Sequence, residues 1–455
     1  VNQSAVQKQA DRSILGPLAY AAPVVAMIFL WNPTVSVLPG LYAKYFGLSL
    51  GAIATVLLIA RIVDALVDPL VGYLSDRHRA RGGSRKSWVV AGGLGLAASA
   101  WFLFVPPSGV TIGYYLIWSL TFYLAWTLMD VPHIAWGGEL SRHHEVRARI
   151  YSFRGMAIYV GIVAFAALPF LTETSSGQFS PAVMRQTIMV GAVAMAVALL
   201  VTVFVAPAGS VIIAVRRDSL RSVLNSVLAN RPLRHFLLTY FLFSLSLGMW
   251  TGLVFLYIDS YLKLQADTAL IFLLFSAAAL LSVPIWGAFA VRGEKRTILV
   301  AGVALYTLCL VASLPFMRGV SPLLPMLTMS GVYIGAAAFA LITPALLADI
   351  VDYGALRFGQ NRSSTYFALL VLAFKASSGV GAGLALGIAA WFGFDPQAAF
   401  VGKRAGMGIQ IAFIVLPTLL SASALVLALK TPITRRRHHI ILARLSRRME
   451  AETLP

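Results

Sequence analysis

Apolar residues run along this chain in long stretches separated by short polar segments. The stretches cover residues 16–42, 48–74, 88–105, 112–136, 151–171, 186–206, 236–261, 269–289, 298–316, 323–347, 366–392 and 409–429. Each can carry a helix, at ~1.5 Å per residue, across a hydrocarbon core of ~30 Å. Transmembrane strands would need only ~10 residues and would alternate polar with apolar positions, so the pattern predicts an all-α membrane protein. The twelve stretches form two sets of six. This divides the chain into an N-terminal half (1–207), an amphipathic linker (208–233), a C-terminal half (234–430) and a basic tail (431–455). Residues up to about 15 read as a mobile polar tail. Pro17, Pro23, Pro33 and Pro39 predict a first span that bends or breaks.

Polar residues inside these stretches carry the information about function. Arg61, Asp64 and Asp68 lie at i, i+3 and i+7 in the second stretch, so a helix places them along one face. A charge at mid-membrane costs at least ~2.5 kcal/mol on the insertion scale, so this face must meet protein, water or an ion. One reading is a structural ion-pair network. The other is an ion-binding face, favoured because two carboxylates one turn apart exceed what one arginine neutralises. Asp130, in Met129-Asp130-Val131-Pro132-His133, is a third intramembrane acid, and Pro132 frees backbone carbonyls that can serve a hard cation. Arg154 lies one turn into the fifth span and Lys375 well inside the eleventh. A small cation on the carboxylates, with Lys375 and Arg61 exchanging partners, would couple ion occupancy to substrate affinity. Asn32 can touch substrate or act as interhelical glue, and His133 can titrate or pack.

Composition agrees with a polytopic protein: 59% hydrophobic, 12% charged and a mean hydropathy of +0.82. The net charge of +19 does not point to nucleic acid, because of where it lies. With the N-terminus in the cytoplasm, roughly 27 Lys and Arg fall on that side and about 6 on the other, the positive-inside asymmetry. Both termini are therefore expected in the cytoplasm, in a plasma (bacterial inner) membrane. Cys309, the one cysteine, lies in a span and reads as packing. No cleavable signal peptide is expected, since the first apolar run is full length. His143-His144 and His438-His439 lack a metal-ligand context and read as solvated loop residues. No nucleotide-binding loop of P-loop form occurs, and an enzyme is not expected.

Gly72-Tyr73-Leu74-Ser75-Asp76-Arg77, followed by Gly82-Gly83-Ser84-Arg85-Lys86, resembles the loop between helices two and three of the major facilitator superfamily. A degenerate echo, Gly287-Ala288-Phe289-Ala290-Val291-Arg292, stands near half a chain length further on, as parallel repeats would place it. Asp349 and Asp352 lie near the cytoplasmic end of the tenth span. With Asp76, Arg77 and Arg362 they form a candidate cytoplasmic gate, pairing with Arg357, Arg362 or first-half bases; simple end-capping is the alternative.

Arg61-x-x-Asp64-x-x-x-Asp68-Pro69, Met129-Asp130-Val131-Pro132, Arg154, Ala348-Asp349-Ile350-Val351-Asp352-Tyr353-Gly354 and Lys375 together resemble the glycoside-pentoside-hexuronide:cation symporter family of melibiose-permease-like carriers. The resemblance implies a major-facilitator fold, a cation (sodium, lithium or proton) on Asp64, Asp68 and Asp130, Lys375 nearby, and Arg154 facing the cavity close to a sugar. It implies no cofactor beyond Na+ or H+ as coupling ion. The melibiose-type sugar site does not carry over: Ile28, Ile134 and Ala340 replace its acidic and tryptophan positions. Tyr20, Trp31, Asn32, Trp126, His133 and Trp136, with Arg154, are the candidate replacement lining. The expected protein is a monomeric, cation-coupled secondary symporter of a glycoside or sugar-like solute. The second choice is a sodium-coupled carrier of an amphipathic, lysolipid-like substrate, and the third a non-transporting receptor on a carrier fold.

Overall fold

The computed structural model describes residues 14–141, 144–171, 177–207, 209, 225, 227–359, 362–432 and 435–453. Among them, twelve helical segments are long and apolar enough to cross a membrane, and no strand occurs. The first half comprises α1 (Leu15–Ser36), α2 (Leu38–Phe46), α3 (Leu50–Ala80), α4 (Arg85–Phe104), α5 (Ile112–Glu139), α6 (His144–Leu171) and α7 (Pro181–Phe204). The second comprises α8 (Arg231–Leu256), α9 (Thr268–Arg292), α10 (Lys295–Ala312), α11 (Leu323–Phe358), α12 (Ser363–Trp391), α13 (Lys403–Gln410) and α14 (Leu416–Leu429), followed by the tail helix α15 (Arg435–Thr453). Two π-turns, Tyr257–Tyr261 and Ile411–Val415, extend α8 and join α13 to α14. The linker predicted over 208–233 lies largely outside the described residues, as does the tail up to residue 13.

The proline-rich first span breaks as its sequence predicts. α1 stops at Val37, and α2 restarts with Pro39 in its first turn and ends on Gly47 at φ 70°. Two hydroxyls bond back onto the helix just before the break: Ser36 Oγ donates to Asn32 O at 2.8 Å and Thr34 Oγ1 to Leu30 O at 2.9 Å, the i−4 back-bonding that favours bending. Ser49, Ser84, Thr111, Ser180 and Asn230 cap the helices that follow them, each accepting from a backbone N–H and each worth about 1 kcal/mol. α11 runs eleven residues beyond the apolar stretch that predicts it, so Asp349 and Asp352 stand on its helical extension.

Lipid gives helices no hydrophobic reason to associate, so they pack through small residues that admit a neighbour's backbone. At Gly335 an added Cβ would lie 2.5 Å from Gly302 O and 2.8 Å from Tyr306 N, which closes α10 on α11. At Gly248 it would lie 2.2 Å from Ser378 O, which closes α8 on α12. The Gly72–Arg77 segment ends α3 and its echo Gly287–Arg292 ends α9, equivalent places in the two halves.

The halves meet chiefly along two helix pairs, α3 with α12 and α6 with α9, and the first of these seams runs from the end remote from the termini to mid-membrane. Down α3 and α12 its contacts are Gly51 with Ala390, Ala54 with Gly387, Leu58 with Gly383, Arg61 with Gly379 and Asp68 with Lys375. Gly335→Leu should push α10 off α11 at a cost of about 3 kcal/mol. A clear fall in the thermal unfolding midpoint of the purified protein is the expected result, with Gly287→Leu, whose Cβ would meet nothing within 4 Å, close to wild type.

Candidate functional site

The face predicted on the second span is real, and it is turned toward protein. Arg61, Asp64 and Asp68 lie on α3, with Asp64 only 3% exposed. Asp64 Oδ1 and Asp68 Oδ1 converge on one hydroxyl, Thr127 Oγ1 of α5, at 2.8 and 2.9 Å. A hydroxyl has a single proton to donate, so it cannot satisfy both carboxylate oxygens at once. Lys375 Nζ, from α12 in the other half, donates to Asp68 Oδ1 and Oδ2 at 2.8 and 2.7 Å and stands 3.8 Å from Asp64 Oδ2. Arg61 Nη1 reaches Asp64 Oδ2 at 3.3 Å and its guanidinium lies over the Tyr123 ring, 4.2 Å from the centroid. Two acids, two bases and one hydroxyl thus form a single desolvated cluster.

Asp130 stands apart from it. Arg154 Nη2 donates to Asp130 Oδ1 at 2.6 Å, and Arg154 Nη1 to His133 Nδ1 at 2.8 Å. Among the described residues no group of three or more His, Cys, Asp or Glu is placed to hold a metal ion. The three-carboxylate seat expected from Asp64, Asp68 and Asp130 is therefore not assembled in this conformation; two carboxylates and Thr127 are. Thr127 was not singled out by sequence, although it shares a helix face with Asp130 three residues on.

Some of the expected substrate lining is packing instead. An arginine only donates, so His133 Nδ1 must accept, leaving Nε2 to carry the proton toward Tyr20 O at 2.8 Å. Tyr20 Oη returns a hydrogen bond to His133 O at 3.0 Å, and the two rings stack at 4.2 Å. Trp136 lies edge-on to both. Tyr20, His133 and Trp136 are buried to 1% exposure or less, their mutual contacts leaving no surface for a solute, and the neutral tautomer so fixed answers whether His133 packs or titrates here. Ile28 packs on Gly161 of α6 rather than lining a pocket. Trp31 and Trp126 lie 5.3 Å apart, Trp31 half-buried, and Asn32 is buried. Ile134 is half-buried and Ala340 exposed.

The acids of the predicted gate pair inside their own halves. Asp76 accepts from Arg85 at 2.7 Å, and Glu139, a buried acid at the end of α5 that the sequence reading passed over, accepts from both Arg79 and Arg85. Arg77 is exposed and Arg362 half-buried. In the second half Lys295 binds Asp349 at 2.6 Å, and His438 of α15 binds Asp352 at 2.9 Å. His438 is thus not the solvated loop residue expected, and Arg357 turns to Tyr353 Oη instead of the acids. His143 lies outside the described residues.

A glycine shapes the cluster: a Cβ at Gly379 would fall 2.0–2.2 Å from Arg61 Cδ, Cγ and Nε. Gly379→Ala should drive the Arg61 side chain off Asp64. Solute uptake should fall by about tenfold or more, the equivalent of ~1.4 kcal/mol, with the protein still monodisperse; unchanged uptake would mean Arg61 has room to move without consequence.

The inner membrane symporter YicJ of Escherichia coli (strain K12) is 30% identical over 116 residues, 25% of this chain and 25% of that protein. Across YicJ and three other symporter relatives, the chain spans between 25% and 38% of their length. The glucuronide carrier protein homolog of the same organism is 23% identical over 98% of each chain. The crystal structure of a bacterial homolog to the human lysosomal transporter Spinster, titled inward-facing and unoccupied, matches 97% of this chain and 99% of its own with a TM-score of 0.67 at 11% identity, a likeness of fold. The family model for MFS/sugar transport proteins matches residues 19–435, so this integral membrane chain belongs to that family.

Proposed function

We propose that the protein is a cation-coupled symporter of a glycoside or sugar-like solute, working by alternating access between its two halves. The observation that carries the reading is the shared Thr127 hydroxyl. One proton serves two carboxylate oxygens, and the remaining compensation on Asp68 is an ammonium supplied by the opposite half. A monovalent cation among Asp64, Asp68 and Thr127 would do what Lys375 does now. Ion binding and the Lys375 tie are then alternatives, and a cation arriving at Asp68 loosens the seam by releasing Lys375. Only differential binding between two conformations is needed for coupling. Sodium and a proton both fit two carboxylates and a hydroxyl, and either serves as the coupling ion in this reading.

Arg154 holds Asp130 and His133 with two of its five N–H groups, and in this reading the remaining donors serve the solute. Trp31, Trp126 and Asn32 stay in the solute lining; Tyr20, His133 and Trp136 brace it from behind. The names of the relatives, symporter and glucuronide carrier among them, support a glycoside-type solute. The comparisons give the amphipath alternative no support. The basic runs support an orientation with both termini in the cytoplasm of a bacterial inner membrane. On that orientation the closed seam faces outward.

Asp64→Asn and Asp68→Asn should each abolish cation-dependent accumulation, by at least about tenfold, in a protein that still purifies monodisperse. Uptake of a glycoside panel into proteoliposomes, with and without a sodium or proton gradient, is the measurement. Unchanged uptake in both variants would make the cluster a structural ion-pair network. Lys375→Ala should raise the apparent cation affinity while uncoupling transport, because the cation no longer competes with an ammonium. Thermal stabilisation by sodium, lithium or acid reads that affinity, since stabilisation follows the logarithm of ligand over Kd. A variant stabilised no more than wild type would show that Lys375 does not compete for the site.

A further inference from the structure

Apart from Lys375 with Asp64 and Asp68, one other ion pair between described residues crosses from half to half, and it lies at the end remote from the termini. Lys44 Nζ, in the last turn of α2, donates to Asp259 Oδ1 and Oδ2 at 2.9 and 2.7 Å. Asp259 sits in the π-turn that extends α8 and is 1% exposed, while Lys44 keeps 19% of its side chain accessible. The surroundings clamp this pair on both sides. Ser260 Oγ donates to Asp259 Oδ2 at 2.9 Å, and Gln397 Nε2 donates to Lys44 O at 3.1 Å and Ala43 O at 3.4 Å. Gly40, where a Cβ would lie 2.5 Å from Phe255 Cδ1, lets α2 close on the end of α8.

We infer that Lys44–Asp259 is the latch of this end of the carrier, and that its strength sets how often the halves part there. The inference rests on the alternating-access reading above. Parting the halves at this end separates Lys44 from Asp259, and the carboxylate must then be hydrated. Lys263 and Arg318 also belong to this mouth, but Lys263 Nζ is committed to Ala398 O at 3.2 Å and Arg318 is exposed. The two partners are unequal. Removing Lys44 leaves a buried carboxylate without its counter-charge, which favours opening toward water. Removing Asp259 leaves an ammonium that already reaches solvent, a milder loss.

The test is the alkylation rate of single cysteines in the purified full-length chain in a Cys309→Ser background, with a maleimide probe. Ala43→Cys reports the latch end. Gly155→Cys, where a Cβ would meet nothing within 4 Å, reports the end nearer the termini. Lys44→Gln should speed Ala43→Cys by about tenfold and slow Gly155→Cys by about twofold or more, because the two ends open in alternation. Asp259→Asn should give a smaller change of the same sign. The double variant should match Asp259→Asn alone, since the pair acts as one unit. An Ala43→Cys rate within about twofold of wild type in Lys44→Gln overturns the latch, as does a faster Ala43→Cys with Gly155→Cys unmoved, which is local loosening. So does a double variant equal to the product of the singles. If Lys44→Gln does not fold, Asp259→Asn and the double variant carry the same comparison with no buried charge left unpaired. None of these rates needs a coupling ion or a solute, so a failed latch leaves the symport reading standing, and uptake measurements decide that reading separately.

Discussion

A carboxylate in hydrocarbon must be answered by something, and here what answers Asp68 belongs to the other half of the molecule. Lys375 reaches across the seam with both carboxylate oxygens inside 2.8 Å. Desolvating two charges costs several kcal/mol each, and a well-formed pair only roughly returns that cost. The pair is therefore poor as glue and sensitive to any competitor of the same sign. That sensitivity suits a carrier better than a static scaffold. A static interface would do as well or better with packed apolar side chains in the same volume.

The seam around this pair has a direction. It is continuous from Gly51 with Ala390 down to Asp68 with Lys375, built on small residues that bring α3 and α12 close. Beyond Asp68, toward the termini, the ionic contacts turn inward to their own halves. Glu139 gathers Arg79 and Arg85, and Asp349 and Asp352 are held by Lys295 and His438. Each half thus keeps its charges satisfied at this end without the other. Closing it through these acids would require them to exchange partners across the halves.

Much of this was legible in the chain because hydrophobic pattern and helical period are local properties. The twelve spans, the break in the first of them, and the shared face of Arg61, Asp64 and Asp68 follow from spacing alone. Which neighbour answers each charge does not, because that depends on contacts far apart in sequence. Thr127 has ordinary hydropathy for a span and stands out only once two carboxylates are seen to converge on it. Glu139 lies where a span meets its loop, where an acid reads as interfacial. Tyr20 and His133 look like solute ligands by residue type, but backbone carbonyls satisfy them, and no side-chain pattern encodes that. Gly379 resembles any small residue of a membrane helix until the Arg61 side chain is found in the space its missing Cβ leaves.

The separation of Asp130 from Asp64 and Asp68 places two jobs on one element. Thr127 and Asp130 are three residues apart on α5, so their side chains project from adjacent turns of the same face. Thr127 touches the pair of carboxylates, and Asp130 binds Arg154. Pro132, two residues on, withholds the backbone donor that Leu128 O would otherwise have, so the turn is softer than an uninterrupted one, yet Thr127 and Asp130 still share it. A movement of α5 that carries Thr127 carries Asp130 with it, so the Asp130–Arg154 pair must follow or part. On the symport reading proposed above, that one turn links the carboxylate cluster to Arg154 directly.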